Sequence, residues 1–303
     1  MKKIFILTIL IFFANDTFAQ ANLLNAKNPL EIGDSSASSK AIGEFVDYED
    51  VDDKDILWSK VVYEFIDLNE RLNFPLLFPV NDTKYDDTRK SLWRIIRENI
   101  ENGKISEVYD SNNDNFTEAS RIIGKDSTDS VAKIYKNYNI TDIYKSKYVP
   151  ESFVPRETAS SADIFGYVIK GVWYFDKIHA ELRYRLLAIQ PYGTDLKTSV
   201  DGEETETGYF WIWYPSIREI LDDHLVFNDK NNNNRVSFDE LLINRRFSSY
   251  IYKYDNVYGD REIRDYIRQR DNESYAQWQT RIVMESERIK KEILDFEIDM
   301  WGY

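Results

Sequence analysis

Between Ile164 and Tyr214 the apolar residues fall into a period of two, and this alternation limits the possible folds more than any other feature of the chain. Valine, isoleucine, tryptophan and tyrosine dominate the stretch. Leu182, Tyr184, Leu186 and Ala188 fall on one side of an extended chain, and Arg183 and Arg185 on the other. The pattern predicts a hairpin with strands at 165–175 and 181–190, turning around 177–179. A polar insert at 193–208 leads to a third strand at 209–214. Short connections of this kind join antiparallel strands. Pro215 then opens a helix that runs to about Asp223.

Outside that region the spacing is helical. Trp58, Val61, Phe65, Leu68 and Leu72 recur at steps of three and four. Asp52, Asp53 and Asp55 stand near the start, where carboxylates favour the helix dipole, and the helix is expected to end before Pro75. A second helix is predicted over 86–102, burying Leu92, Ile96 and Ile100 and stopping at Gly103. The Asn-, Asp- and Ser-rich stretch 110–129 reads as a loop, followed by a short helix at 131–138. Near the C-terminus Tyr275, Ile282, Ile289 and Phe296 lie seven residues apart, with Ile293 and Met300 on a neighbouring stripe. This predicts a long amphipathic helix over 272–300 packed on the sheet; a sustained run of regular heptads, which a coiled coil needs, is not present. The expected class is α+β: a helical N-terminal part, a small antiparallel sheet of hairpin plus third strand packed with helices, and the long C-terminal helix. The expected divisions are a signal peptide at 1–19, a flexible arm at 20–53, a mainly helical region at 54–150 and an α+β region at 151–303.

The signal assignment rests on three parts: Lys2 and Lys3, an apolar run from Ile4 to Ala14, and small residues before a cut between Ala19 and Gln20. The apolar run is about half of the ~20 residues that span a bilayer, so a cleaved leader is expected, not an anchor. No second such run follows, and no direct membrane insertion is expected. The chain has no cysteine, which excludes a lipidated cysteine, disulfides and thiolate chemistry. An exported chain without disulfides fits a bacterial periplasm. Its net charge of −14 repels phosphate backbones, so nucleic acid is not an expected partner.

Catalytic signatures do not emerge. The chain contains no nucleophile elbow, phosphate-cradling glycine loop, dinucleotide fingerprint or paired-histidine zinc helix. Its two histidines, His179 and His224, fall at a predicted turn and a helix end. No catalytic or cofactor-binding residue is assigned. Paired carboxylates for a periplasmic hydrolase remain an alternative, because spacing in sequence says little about separation in space. A second alternative is a periplasmic calcium-binding module built on residues 229–240. There Asp229, Asn231, Asn233, Arg235, Ser237 and Glu240 fall at the ligand positions of a twelve-residue loop. Position six is Asn234, not glycine, and only Asp229 and Glu240 bring negative charge. That composition predicts weak calcium binding, ~10⁻⁴ M or above. The competing reading is an Asn-rich turn capping a helix that begins near Ser237.

The aromatic surplus, 21 tyrosines and 7 tryptophans, points to contact surfaces. Trp173, Tyr174 and Phe175 are consecutive, and Tyr209, Trp211 and Trp213 alternate with Phe210, Ile212 and Tyr214. Both faces of these strands are therefore aromatic, so either helices cover both or one face meets a partner. Trp173, Trp211 and Trp213 are the interface candidates.

The order of these segments carries a family resemblance. It runs through the arm at 22–27, then Trp58, Val62, Tyr63, Asp67, Leu68, Glu70, Asn73 and Pro75, and is densest over 166–191. It continues at Trp213, Tyr214, Pro215 and Arg218, at 237–247, at Asn256, Val257 and Tyr258, and closes at Met300 and Trp301. In these the chain resembles the GldN/PorN family of the type IX secretion and gliding-motility machinery of Bacteroidetes. The resemblance implies a periplasmic ring subunit that self-associates, binds an outer-membrane lipoprotein forming the companion ring, and is contacted by the periplasmic region of an inner-membrane motor protein. It implies peripheral association with the outer membrane through that lipoprotein. The calcium-like loop departs from the family pattern, and the family supplies no catalytic residue to carry over. The leader predicts a mature protein starting at Gln20; N-terminal sequencing of periplasmic material should find it, and an intact Met1 there would refute the cleavage.

Overall fold

Three long strands carry the fold: β1 (Ile56–Asp67), β6 (Ile164–Asp176) and β7 (Glu181–Thr194). The computed structural model describes residues 45, 47–49, 51–81, 89–112, 114–117, 119–123, 141–143, 156–194, 206–227 and 236–301. The predicted leader, with Ala19 and Gln20, and the predicted helix at 131–138 lie outside the described residues. The shorter strands are β2 (Val108–Asp110), β3 (Arg121–Ile123), β8 (Glu206–Gly208), β9 (Phe210–Trp213) and β10 (Tyr250–Tyr254). They join the long ones in one eight-stranded sheet of order β10-β1-β6-β7-β9-β2-β3, with β8 paired to the end of β7. β4 (Thr141–Ile143) and β5 (Arg156–Thr158) form a separate two-stranded ladder. All pairings among the described residues are antiparallel.

This corrects the expected architecture. The sheet is large, not three-stranded, and the segment predicted as the first helix is β1. The helical spacing was misleading because β1 is covered on both faces: Val62, Tyr63 and Glu64 are buried in succession, so no period of two survives. The apparent stripe mixes Trp58, which stacks on the C-terminal helix, with Val61 and Phe65, which pack on the opposite side. The run Val61-Val62-Tyr63 and the pair Phe65-Ile66 favour a pleated chain, and tertiary pairing with β6 and β10 decides the outcome.

Among the described residues six α-helices accompany the sheet: α1 (Phe74–Leu77), α2 (Leu92–Glu101), α3 (Arg218–Asp222), α4 (Phe238–Ile243), α5 (Ile263–Tyr266) and α6 (Tyr275–Trp301). Ser91 caps α2 by accepting the Arg94 N–H at 3.1 Å. Trp93, Ile96 and Ile100 of α2 pack with Ile66, Ile169 and Ile189 of the sheet in the main core. α6 covers a second core on the same face, where Ile282, Ile289 and Ile293 meet Val62 and Ile251. α6 also seals the outer edge of β10. The buried Ser286 hydroxyl accepts the Ile251 N–H at 2.8 Å, and Lys290 donates to the Ser249 carbonyl at 2.7 Å. An edge strand covered in this way is a poorer template for another strand.

The two cores meet at an ion pair. Glu64, 1% exposed in the middle of β1, receives Arg245 Nη2 at 2.6 Å and the Ser249 hydroxyl. Arg245 adopts φ 51°, a left-handed conformation that turns the chain out of α4. Its guanidinium lies 4.2 Å from the Tyr184 ring centroid and 5.3 Å from that of Trp173. Gly171 has no room for a Cβ because the Tyr184 hydroxyl fills that space. Arg245→Met should lower stability in urea denaturation by about 3 kcal/mol or more, by leaving the buried Glu64 carboxylate without a cation, with only the Ser249 hydroxyl beside it. The double variant Glu64→Gln/Arg245→Met should recover most of that loss; equal losses would show that the pair is not coupled.

Candidate interaction surfaces

The sheet face opposite the Val62 and Ile251 core is built from aromatic residues, and the first turns of α6, with Tyr275, Trp278 and Ile282, flank it. Phe65 of β1 occupies the space beside Gly166, which cannot accommodate a Cβ. Its ring meets Tyr192 edge-on at 5.5 Å and tilts towards Tyr250 at 5.6 Å. Tyr63 meets Tyr252 at 6.3 Å. These side chains line a cleft of about 590 Å³. One rim is the segment that follows β2. Asp114 there accepts the Tyr63 hydroxyl and Lys253 Nζ, the latter at 3.3 Å, while Lys170 donates to the Asp114 carbonyl at 2.9 Å. Phe116, with φ 48°, turns its ring onto Tyr109, Trp211 and Trp213, with centroids 5.2, 6.1 and 5.1 Å away.

Electrostatics follow from this packing. Burial pushes the Asp114 carboxyl up, but the Tyr63 hydrogen bond and the two lysines outweigh it and hold it below the ordinary value. Burial draws Lys170 down despite Asp114. The Tyr63 hydroxyl is pushed up, first by burial and then by the carboxylate it donates to.

The three predicted interface tryptophans are separated by the fold. Trp173 is half-buried on the α6 side, with its ring centroid 5.0 Å from that of Tyr184. Trp211 is 3% exposed on the other face, and Trp213 beside it keeps an exposed part. Of the calcium-loop candidates, Asp229, Asn231, Asn233 and Arg235 lie outside the described residues. Ser237 caps α4 by accepting the Glu240 N–H at 3.0 Å, and the Glu240 carboxylate is 3.3 Å from Arg246. His179 pairs with Asp176 at 2.7 Å inside the hairpin turn, and His224 contacts the Ile220 carbonyl at 2.8 Å. Among the described residues no three His, Cys, Asp or Glu side chains gather into a metal-binding group. The cleft itself was missed in the sequence. Its only local signal was the repeated pattern of aromatic residues two apart, Tyr63 with Phe65 and Tyr250 with Tyr252.

A second surface lies on the outer side of α6. Val283 and Leu294, eleven residues apart, project in nearly the same direction from a 3.6-residue helix, with Met284 and Ile298 nearby. They are 48%, 51%, 65% and 66% exposed respectively. No described helix is long and apolar enough to cross a membrane.

A large antiparallel sheet packed with helices, with an aromatic cleft beside the first turns of α6, defines an α+β protein. The family model described as "Gliding motility associated protein GldN" matches residues 51–302, and the chain belongs to that family, a component of the gliding-motility and type IX secretion machinery. A search of curated proteins finds no match.

Asp114→Asn tests the rim. At pH 7 it should cost about 1.5 kcal/mol, the lower end for a hydrogen bond to a charged group, because the carboxylate is partly exposed. The folded carboxyl titrates below its ordinary 3.8, so its contribution is complete above 3.8 and disappears as pH falls through the depressed value. Denaturation of wild type and variant should differ at neutral pH and converge in acid; a gap that persists unchanged would refute the ionic role.

Proposed function

We propose that this protein is a non-enzymatic structural subunit of a periplasmic ring complex of the type IX secretion system, supporting protein export across the outer membrane and gliding motility. The observation that carries the proposal is the family match over residues 51–302. The ring forms by self-association of this subunit. An outer-membrane lipoprotein holds it at the membrane, and the periplasmic region of an inner-membrane motor protein contacts it.

The exposed apolar side chains of α6 fit this reading, because a surface helix in an isolated protein gains nothing from presenting Val283, Met284, Leu294 and Ile298 to water. Mature protein mixed with outer-membrane extract should elute in a very large complex, and co-purification should recover a lipoprotein. Leu294→Ser and Ile298→Ser should leave the circular dichroism unchanged and weaken assembly by ~30-fold, the equivalent of ~2 kcal/mol at an interface. A chain that elutes as a free monomer under all conditions, with secretion intact in its absence, would overturn the proposal.

A further inference from the structure

We propose that the aromatic cleft between the sheet and the first turns of α6 binds a short, uncharged oligosaccharide. The proposal goes beyond ring assembly and does not depend on it. Its first support is charge. In a chain of net charge −14, the charged groups along this cleft are mostly paired with one another. Asp114 lies 3.3 Å from Lys253 and 3.9 Å from Lys170, and Glu262 lies 2.5 Å from Arg264. A cleft so compensated has no strong field with which to draw a charged peptide or a nucleic acid.

Its second support is the alternation of apolar faces and free hydroxyls. Tyr192, Tyr250 and Tyr252 line the cleft beside Phe65, and none of the three hydroxyls has a hydrogen-bond partner among the described residues. Burial, with nearby carboxylates, pushes all three phenols up, so they remain protonated donors. A pyranose presents the matching alternation: C–H groups on its faces, which suit the negative face of an aromatic ring, and hydroxyls around its rim. The rings hold one another at 5.5 and 5.6 Å before any ligand arrives, so little side-chain freedom is lost on binding. The volume of about 590 Å³ lies in the range of ligand clefts, roughly 300–1,000 Å³.

Strand addition by a peptide is disfavoured here, since the neighbouring edge at β10 already gives its Ile251 N–H to Ser286.

The test uses the full mature chain, titrated with cellotetraose and with chitotetraose, each followed by calorimetry and by the fluorescence of Trp211 and Trp278, which both line the cleft. At least one sugar should bind saturably at millimolar concentration or below. Tyr192→Ala and Tyr250→Ala should each weaken that binding by about tenfold, equivalent to ~1.4 kcal/mol. Should either variant fail to fold by circular dichroism, Tyr192→Phe, Tyr250→Phe and Tyr252→Phe together keep the rings, remove the hydroxyls, and should still lower affinity several-fold. Leu294→Ser should bind as wild type. Absence of saturable binding by both sugars, binding indifferent to the tyrosine variants, or a proline-rich peptide binding in their place would each overturn the proposal. Gel filtration of the same variants reports assembly separately.

Discussion

A carboxylate buried in the middle of a strand costs several kcal/mol unless a cation reaches it, and the position of that cation then constrains everything attached to it. Glu64 imposes this condition. Arg245 meets it only by adopting a left-handed backbone at the end of α4, so the path from α4 into β10 is dictated by the pair. β10 must then run antiparallel beside β1, with Ile251 opposite Glu64, and α6 must lie where Ser286 reaches the Ile251 N–H. The Tyr184 ring, stacked on the same guanidinium, carries the constraint across to β7 and requires Gly171 in β6. The main core and the α6 core thus share one polar junction.

A comparable arrangement fixes the other end of the α4 region. The buried Asp239 is met by Arg218 at 3.1 Å and by the Tyr214 hydroxyl at 2.8 Å. The Arg218 guanidinium stacks 4.1 Å from the Tyr48 ring and 5.0 Å from that of Phe45. Tyr48 in turn donates to the Leu186 carbonyl of β7 at 3.1 Å. Burial still pushes the Asp239 carboxyl up, the desolvation outweighing its two partners. This pair therefore positions the segment before β1 more than it adds to stability.

What was legible in the sequence was what local physics decides. The hairpin stands where the period of two put it, with β6 and β7 somewhat longer than predicted, because alternation survives in both strands beyond the bulge near Gly171. α6 appears at Tyr275–Trp301 because its heptad-spaced isoleucines pack on one side only. Pro215 does open a helical turn, at Tyr214–Ser216, before α3. β1 was illegible because both of its faces are buried. β2, β3 and β8, three residues each, are too short to show a period, and β2 with β3 enters the sheet only through the distant strand β9. The cleft was hidden for the same reason. Phe65, Tyr192 and Tyr250 come from three strands, and only the register Phe65↔Tyr250 and the neighbouring pair Gly166↔Tyr192 bring their rings together.

Net charge sets one further condition on any assembly of this chain. Copies that each carry −14 repel one another, and screening at physiological salt acts only beyond about 8 Å. Close packing therefore requires surfaces whose charges are already cancelled. The middle turns of α6 come nearest to that requirement on their outer side. Arg288 lies 2.7 Å from Glu285 and 3.0 Å from Glu292, and Lys290 lies 3.0 Å from Glu287. C-terminal to these pairs Leu294 and Ile298 remain exposed, beside Asp295, Glu297 and Asp299. The tyrosine cleft meets it differently, because phenols pushed up by burial stay neutral at any physiological pH. An acidic protein can thus keep its repulsive charge for solubility while offering two regions where approach costs little electrostatic work, and the abundance of tyrosine over phenylalanine on the open face follows from the same need for apolar area that water still tolerates.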